Sequence, residues 1–215
     1  MEIDLVGREP QLTEAWTRVC ADLAGVTVTV ADITALDCDA VLSPANSFGF
    51  MGGGVDLAYA QAFGPHLEPR VRASIADRWG GELPVGCAEI VATAPSPGAG
   101  SIPWLVVAPT MRVPQRIAGT VNAYLAARAA LRLIAFGCFP GDAATYREYA
   151  GTPIRDAVRR LAVPGLGTGT GALPPLVCAR QVRAAIEEIR DDAGADAAPR
   201  DMATALARHR ELAGG

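Results

Sequence analysis

Three consecutive glycines, Gly52–Gly54, lie between Asn46 and Asp56 and follow an apolar run, residues 40–42, that is typical of a strand. A helix-compatible segment, residues 55–63, comes next. A strand, a glycine-rich turn and a helix in this order place unpaired backbone N–H groups at a helix N-terminus, where the helix dipole favours an anion such as phosphate. Asn46 and Asp56 flank the turn, so each could contact a bound ligand. The pattern predicts a site for a phosphorylated nucleotide.

A second glycine-rich turn, residues 165–171, precedes another helix-compatible segment that runs from Pro174 to about residue 189. Together the two turns could hold a diphosphate from both sides through backbone N–H groups, with hydroxyl donors from Thr168 and Thr170. Residues 167–172 also fit the G-x-G-x-x-A pattern of dinucleotide-binding proteins. Too little chain follows to complete that βαβ unit, which makes hydride chemistry the less favoured hypothesis.

A carboxylate, Asp32, follows the β-branched run of residues 26–30. The carboxyl end of a strand in an α/β sheet is where ligands are bound, so Asp32 could contact the ligand. Its position alone favours the alternative, a helix cap or a turn residue.

Composition excludes several classes of protein. The chain has 215 residues, half of them hydrophobic, which suits one domain with a sizeable core. All 19 basic residues are arginine, so neither a Walker A loop nor a lysine nucleophile is possible. The net charge is −4 and no basic stripe is present, so we expect no generic affinity for nucleic acid or membranes.

Cysteine and histidine are sparse. Five scattered cysteines without a C-x-x-C pair, and only two histidines, argue against a metal site and favour buried, reduced thiols. The first residues lack the basic-then-apolar pattern of a signal peptide, and no apolar run is as long as a membrane span. We therefore expect a cytoplasmic protein without a membrane segment.

The order of elements predicts an α/β fold. Periodicity indicates β-α-β-β-α-α-β-β-α-β-α, with nearly continuous apolar strands. Such strands favour a mixed, mostly parallel sheet with helices on both faces. Residues 137–152 are irregular and indicate an insertion or a mobile loop over the site. Residues 191–215 form either a C-terminal helix, at residues 202–212, or a loosely ordered tail.

Over residues 1–190 the chain resembles the macro domain, a three-layer α/β/α module that binds ADP-ribose. Four segments carry the resemblance in the family's order: residues 30–34 (VADIT), 44–47 (PANS), 52–56 (GGGVD) and 165–169 (GLGTG). The resemblance implies that Asp32 and the backbone of Ile33 bind adenine and that Asn46 binds the distal ribose. It implies further contacts to that ribose and to the diphosphate from Gly53, Gly54, Val55, Gly165, Gly167, Thr168, Gly169 and Thr170.

The resemblance also bears on activity. Macro domains with a lysine nucleophile are excluded, and no Glu pair follows the glycines as in poly-ADP-ribose glycohydrolases. The chain keeps the Asn-x6-Gly-Gly-Val-Asp pattern of mono-ADP-ribosyl hydrolases from Asn46 to Asp56. This implies cofactor-free hydrolysis at C1 of the distal ribose, with Asp56 stabilising the developing positive charge or orienting water. The substrates would be ADP-ribosylated acidic side chains of proteins, O-acetyl-ADP-ribose or modified nucleobases.

Alternatives stay open at this point. Asp56 could serve only the helix dipole, the substrate diphosphate could activate the water, and the protein could be a non-catalytic ADP-ribose reader. The chain departs from the family pattern at residues 43–44 and in the bulky segment 48–51, and its second turn lacks an aromatic residue. Three aromatic residues could substitute from elsewhere: Phe50, Tyr146 and Tyr149. Met111 and Arg112 are candidates to line the site, although ordinary loop residues are favoured.

Overall fold

The computed structural model describes residues 1–94, 102–141, 144–190 and 199–214. Its strands are β1 (Glu2–Val6), β2 (Val26–Thr29), β3 (Ala40–Ser43), β4 (Glu89–Ala92), β5 (Trp104–Val107) and β6 (Arg160–Val163). Its α-helices are α1 (Pro10–Cys20), α2 (Gly54–Phe63), α3 (Leu67–Trp79), α4 (Asn122–Phe136), α5 (Ile154–Ala157), α6 (Pro175–Arg190) and α7 (Met202–Ala213). Two 3-10 turns cover Ile33–Ala35 and Arg147–Tyr149.

The strands form one sheet in the order β2-β1-β6-β3-β5-β4. Neighbouring strands are parallel except β4, which pairs antiparallel with β5 at the edge. Strands β3, β4 and β5 are buried along their whole length, as expected of strands covered on both faces. The predicted mixed, mostly parallel sheet is therefore confirmed.

Two apolar clusters cover the two faces of the sheet. Successive side chains of a strand point to opposite faces, so Leu42 of β3 joins the cluster formed with α1, α4 and α6. Its neighbour Val41 joins the cluster formed with α2 and α3. This arrangement is the three-layer α/β/α architecture.

The described residues of the segment 137–152 pack at the amino end of the sheet and not over its carboxyl edge. Trp104, the first residue of β5, packs against Phe139, Tyr146 and Tyr149 with ring centroids 4.4, 5.0 and 5.2 Å away. The aromatic cluster therefore lies at the amino end of β5, where ring packing rather than ligand contact holds the segment. Residues 142–143 are outside the described residues. The expectation of a loop over the site is wrong.

Helix α7 packs on the domain through its last turn. Leu212 is buried, and its carbonyl oxygen accepts a 2.9 Å hydrogen bond from the side chain of Gln181 on α6. The same amide donates to the carbonyl of Thr120 and accepts from the N–H of Tyr124 at the start of α4. Of the C-terminal tail, residues 191–198 and 215 are outside the described residues. No helix within the described ranges is long and apolar enough to cross a membrane.

All five cysteines are free. Cys20, Cys38 and Cys178 are buried, and burial raises the pKa of each thiol to about 12. Cys87 is half-buried and Cys138 is exposed, so the expectation that every thiol is buried is wrong for these two. Cys138 is exposed because it follows the end of α4 in a surface connection.

Candidate functional site

A groove of about 770 Å³ crosses the carboxyl ends of the parallel strands β1, β3 and β6. It brings together all the sequence-predicted site residues, which come from three separate connections, those after β2, β3 and β6. They are Asp32, Ile33, Asn46, Gly53, Gly54, Val55, Asp56, Gly165, Gly167, Thr168, Gly169 and Thr170. Parallel strands end at one edge of the sheet, which is why residues distant in sequence converge here. Among the described residues, no group of three or more His, Cys, Asp or Glu could hold a metal ion.

The first glycine turn leaves the N-terminus of α2 open to the groove. Gly53 is the N-cap residue and has no side chain to cap the helix, so the first-turn N–H groups lack a partner within the helix. Gly54 has φ +58°, a conformation that favours glycine. A Cβ atom added to Gly52, Gly53 or Gly54 would meet no atom within 4 Å. The turn therefore offers donors and free space together.

In the second glycine turn, one glycine has no room for a side chain and another has free space beside it. A Cβ atom at Gly171 would lie 2.5 Å from the carbonyl oxygen of Gly167, whereas one at Gly169 would meet nothing within 4 Å. The carbonyls of Gly167 and Gly169 accept hydrogen bonds that fold the turn back on itself. In the described part of the chain, the N–H groups of Thr168, Gly169 and Thr170 donate to no protein acceptor. All three residues line the groove, so their N–H groups are available to a ligand.

Asp56 is a buried carboxyl group in the groove wall. It occupies the first turn of α2 and is only 8% exposed. The hydroxyl of Ser43, at the end of β3, donates a 2.7 Å hydrogen bond to Oδ1 of Asp56. Burial raises the pKa of Asp56 to about 6, and the Ser43 hydrogen bond opposes that rise. A carboxyl group with such a pKa is a suitable general base near neutral pH.

Asp32 caps the 3-10 turn, the alternative that its sequence position favours, and it also lines the groove. Its Oδ1 accepts hydrogen bonds from the N–H and the hydroxyl of Thr34, at 3.0 and 2.7 Å, and so caps the 3-10 turn. These hydrogen bonds lower the pKa of the carboxyl group. Its Oδ2 lies 3.7 Å from Nη1 of Arg8 at the groove rim, and half of the side chain is exposed. One carboxylate oxygen is thus used by the cap, while the other is available to a ligand.

Asn46 lines the groove, but its amide is largely used by its own loop. The Nδ2 group donates to the carbonyl of Phe50 at 2.7 Å, and Oδ1 accepts from the N–H groups of Phe48 and Phe50. Asn46 therefore shapes the segment that leads into the first glycine turn. Its contact with a ribose stays a prediction, for which one Nδ2 hydrogen remains.

Comparison with known proteins decides the family. The model of the Macro domain family matches residues 42–182. The chain belongs to the macro domain family. An uncharacterized protein of Aquifex aeolicus is 33% identical to this macro domain over 165 residues, which cover 77% of the chain and 81% of that protein.

Solved structures show the same fold. The macrodomain of Mycobacterium tuberculosis DarG has a TM-score of 0.54 and 19% identity, over 76% of this chain and 90% of that one. Thermosipho africanus DarTG in complex with ADP-ribose has a TM-score of 0.51 and 13% identity, over 85% of this chain and 50% of that one. At these identities the likeness establishes the architecture of this macro domain.

Among the described residues, one aromatic residue lines the groove of this macro domain. Phe50 lines the groove, is half exposed and carries the guanidinium group of Arg72 at 4.3 Å from its ring centroid. Tyr146 and Tyr149 lie in the cluster around Trp104 instead, so neither can substitute at the second turn. Their sequence position did not reveal this, because ring packing at the amino end of the sheet depends on tertiary structure.

Sequence reasoning missed several lining residues. Arg8 and Glu9 follow β1, and Thr110 and Pro114 follow β5, and all four line the groove. The argument that singled out Asp32, its position just after a strand of a parallel sheet, applies equally to these residues and would have found them. Of the two loop candidates after β5, Met111 lines the groove. Arg112 does not, because its guanidinium group pairs with Glu82 at 2.7 Å.

Proposed function

We propose that the groove binds ADP-ribose, with its diphosphate between the two glycine turns. The free N–H groups of residues 168–170 and the open N-terminus of α2 supply donors on both sides of the groove. The similar fold of Thermosipho africanus DarTG, which was solved in complex with ADP-ribose, supports this ligand. The Oδ2 oxygen of Asp32, which the cap does not use, and the backbone of Ile33 then bind adenine, and Asn46 binds the distal ribose.

The remaining contacts follow from the same orientation. The first turn contacts the distal ribose and the diphosphate through Gly53, Gly54 and Val55. The second turn contacts the diphosphate through Gly165, Gly167, Thr168, Gly169 and Thr170.

We further propose that the protein hydrolyses the linkage between ADP-ribose and an acceptor. The observation that carries this proposal is the buried carboxyl group of Asp56, whose pKa of about 6 leaves it ionised at neutral pH in the groove wall. Water attacks C1 of the distal ribose, the bond from C1 to the acceptor oxygen or nucleobase nitrogen breaks, and Asp56 takes the proton of the water. A nucleobase nitrogen recovers that proton from Asp56 as it leaves. From an acidic side chain or an acetyl ester the acceptor leaves as a carboxylate and needs no proton.

Calorimetric titration of ADP-ribose tests the binding site. We expect micromolar or tighter binding to the wild type, weakened by about 1–3 kcal/mol in Asp32→Ala. Thr34→Val is the matched control, because it removes one cap contact and keeps the carboxylate. Absence of heat would contradict the proposal, and tighter binding of NAD than of ADP-ribose would favour a redox nucleotide protein.

Release of ADP-ribose tests turnover. Acceptors linked through an acidic side chain, an acetyl ester and a nucleobase are incubated with wild type and Asp56→Ala, after calorimetry has shown that both bind ADP-ribose. Equal rates in the two proteins would remove Asp56 from the mechanism. Binding without turnover on any of the three would identify a reader module, the second candidate function.

A further inference from the structure

Ser43 is fixed directly beneath the groove. It is the last residue of β3, pairs with Val107 of β5 in the sheet and is 1% exposed. Its carbonyl oxygen accepts a hydrogen bond from the N–H of Ala108, which extends the pairing by one residue. The hydroxyl group of Ser43 is thus carried by a buried, hydrogen-bonded strand.

The carboxyl group of Asp56 has one fixed contact. In the described part of the chain, the 2.7 Å hydrogen bond from Ser43 is the only one that its side chain accepts. This contact occupies Oδ1 and fixes the χ2 torsion of Asp56, which sets the orientation of the carboxyl group. Asp56 lines the groove, so Oδ2 is the oxygen left for a ligand or a water molecule.

Other titratable groups surround this pair without bonding to it. Tyr59 lies one turn further along α2, and its hydroxyl donates to the carbonyl of Leu42 at 3.0 Å. The side chains of Cys38 and Asp32 also lie within electrostatic reach of Tyr59. Only burial and the Ser43 hydrogen bond shift the pKa of Asp56, and they act in opposite directions.

We propose that Ser43 is a positioning residue for Asp56: it holds the carboxyl group so that Oδ2 faces the groove, and it stabilises the ionised form. The role of Asp56 as a base rests on the proposed function, whereas the contact between the two side chains does not. Removing a hydrogen bond to a charged group is expected to change the affected rate or equilibrium constant by about tenfold or more. Ser43→Ala therefore lowers kcat about tenfold or more, moves the acidic limb of the kcat profile to higher pH and leaves the affinity for ADP-ribose unchanged.

The experiment compares wild type, Ser43→Ala and Ser43→Thr, with Ser74→Ala on α3 as a matched buried serine. Thr keeps the hydroxyl and is expected to restore the pH profile, and the Ser74 variant is expected to behave as wild type. A fall in kcat with an unmoved acidic limb would overturn the proposal, because loss of packing alone would do this. An unchanged kcat in Ser43→Ala would overturn it as well.

A second readout does not depend on turnover. The carboxyl carbon of Asp56, assigned by its absence in Asp56→Asn, is titrated by 13C NMR in wild type and Ser43→Ala. The expected midpoint rises by about one pH unit or more in the variant. Equal midpoints would refute the contact, whether or not the wild type hydrolyses any substrate. A higher midpoint in Ser43→Ala together with no turnover by the wild type would refute the hydrolase function and keep the contact.

Discussion

Asp56→Asn is expected to stabilise the folded protein at neutral pH, although it removes the proposed base. Burial raises the pKa of Asp56 from 3.8 to about 6 in the folded state. Between these two values the folded protein binds more protons than the unfolded chain. Its free energy of unfolding therefore falls as the pH rises from about 4 to above 6. Asn has the shape of Asp, cannot ionise and still offers an oxygen to Ser43.

The magnitude follows from the two pKa values. At about 1.36 kcal/mol for each pKa unit, ionisation of Asp56 lowers the free energy of unfolding by about 3 kcal/mol at pH 8. At pH 4 the folded-state carboxyl is protonated and the reduction is only about 0.5 kcal/mol. The free energy of unfolding that Asp56→Asn gains over the wild type should thus be larger at pH 8 than at pH 4, by about 2.5 kcal/mol.

Urea unfolding of both proteins at pH 4 and pH 8 measures this difference, and any pH-independent effect of the substitution cancels. Asp201→Asn is a control whose stability relative to the wild type is expected to change little between pH 4 and pH 8, because its lowered pKa acts mainly below pH 4. Hydrogen bonds from Thr204 lower the pKa of Asp201, so its ionised form contributes stability above the unfolded pKa that is lost as the pH falls. A stability difference for Asp56→Asn that is the same at both pH values, or larger at pH 4, would refute the reasoning.

Four further predictions concern other positions of the chain. Gly169→Ala should be as stable as the wild type, because its methyl group meets no protein atom. The variant should bind ADP-ribose more weakly in calorimetry, because the methyl group takes space in the groove. Gly171→Ala should unfold about 1–3 kcal/mol more easily, because its methyl group would meet a backbone oxygen 2.5 Å away. Gln181→Leu should lower the urea unfolding free energy by about 2 kcal/mol or more, since three backbone groups lose a buried partner. Iodoacetamide followed by mass spectrometry should label Cys138 before the buried thiols, and equal labelling would contradict the packing.

The fold was largely predictable from the sequence because its signals are local. Residues 104–108 are a continuous apolar run before Pro109, and they form the buried strand β5. The glycine turns were predictable for the same reason, since each follows a strand and precedes a helix. Parallel strands then bring the two turns to one edge without any further information about contacts.

Contacts between distant side chains were not predictable in this way. The hydrogen bond between Ser43 and Asp56 joins the end of a strand to a helix 13 residues later, and it depends on how α2 packs on the sheet. The contact of Asn46 with a ribose stays a prediction, but the hydrogen bonds of its amide to the backbone of its own loop were not expected. Both outcomes depend on side-chain orientation, about which residue type and spacing carry no information.

The glycines of the two turns show where residue type stops being informative. In the sequence, Gly169 and Gly171 belong to one glycine-rich turn, and residue type does not distinguish them. In the fold, the alpha hydrogen of Gly171 faces a carbonyl oxygen, so this glycine is required by packing alone. Gly169 and Gly53 face empty space, so folding does not require the absence of a side chain there. A residue whose small size serves no contact within the protein is best explained by the ligand that occupies the space, and these two glycines therefore support the diphosphate site independently of the family.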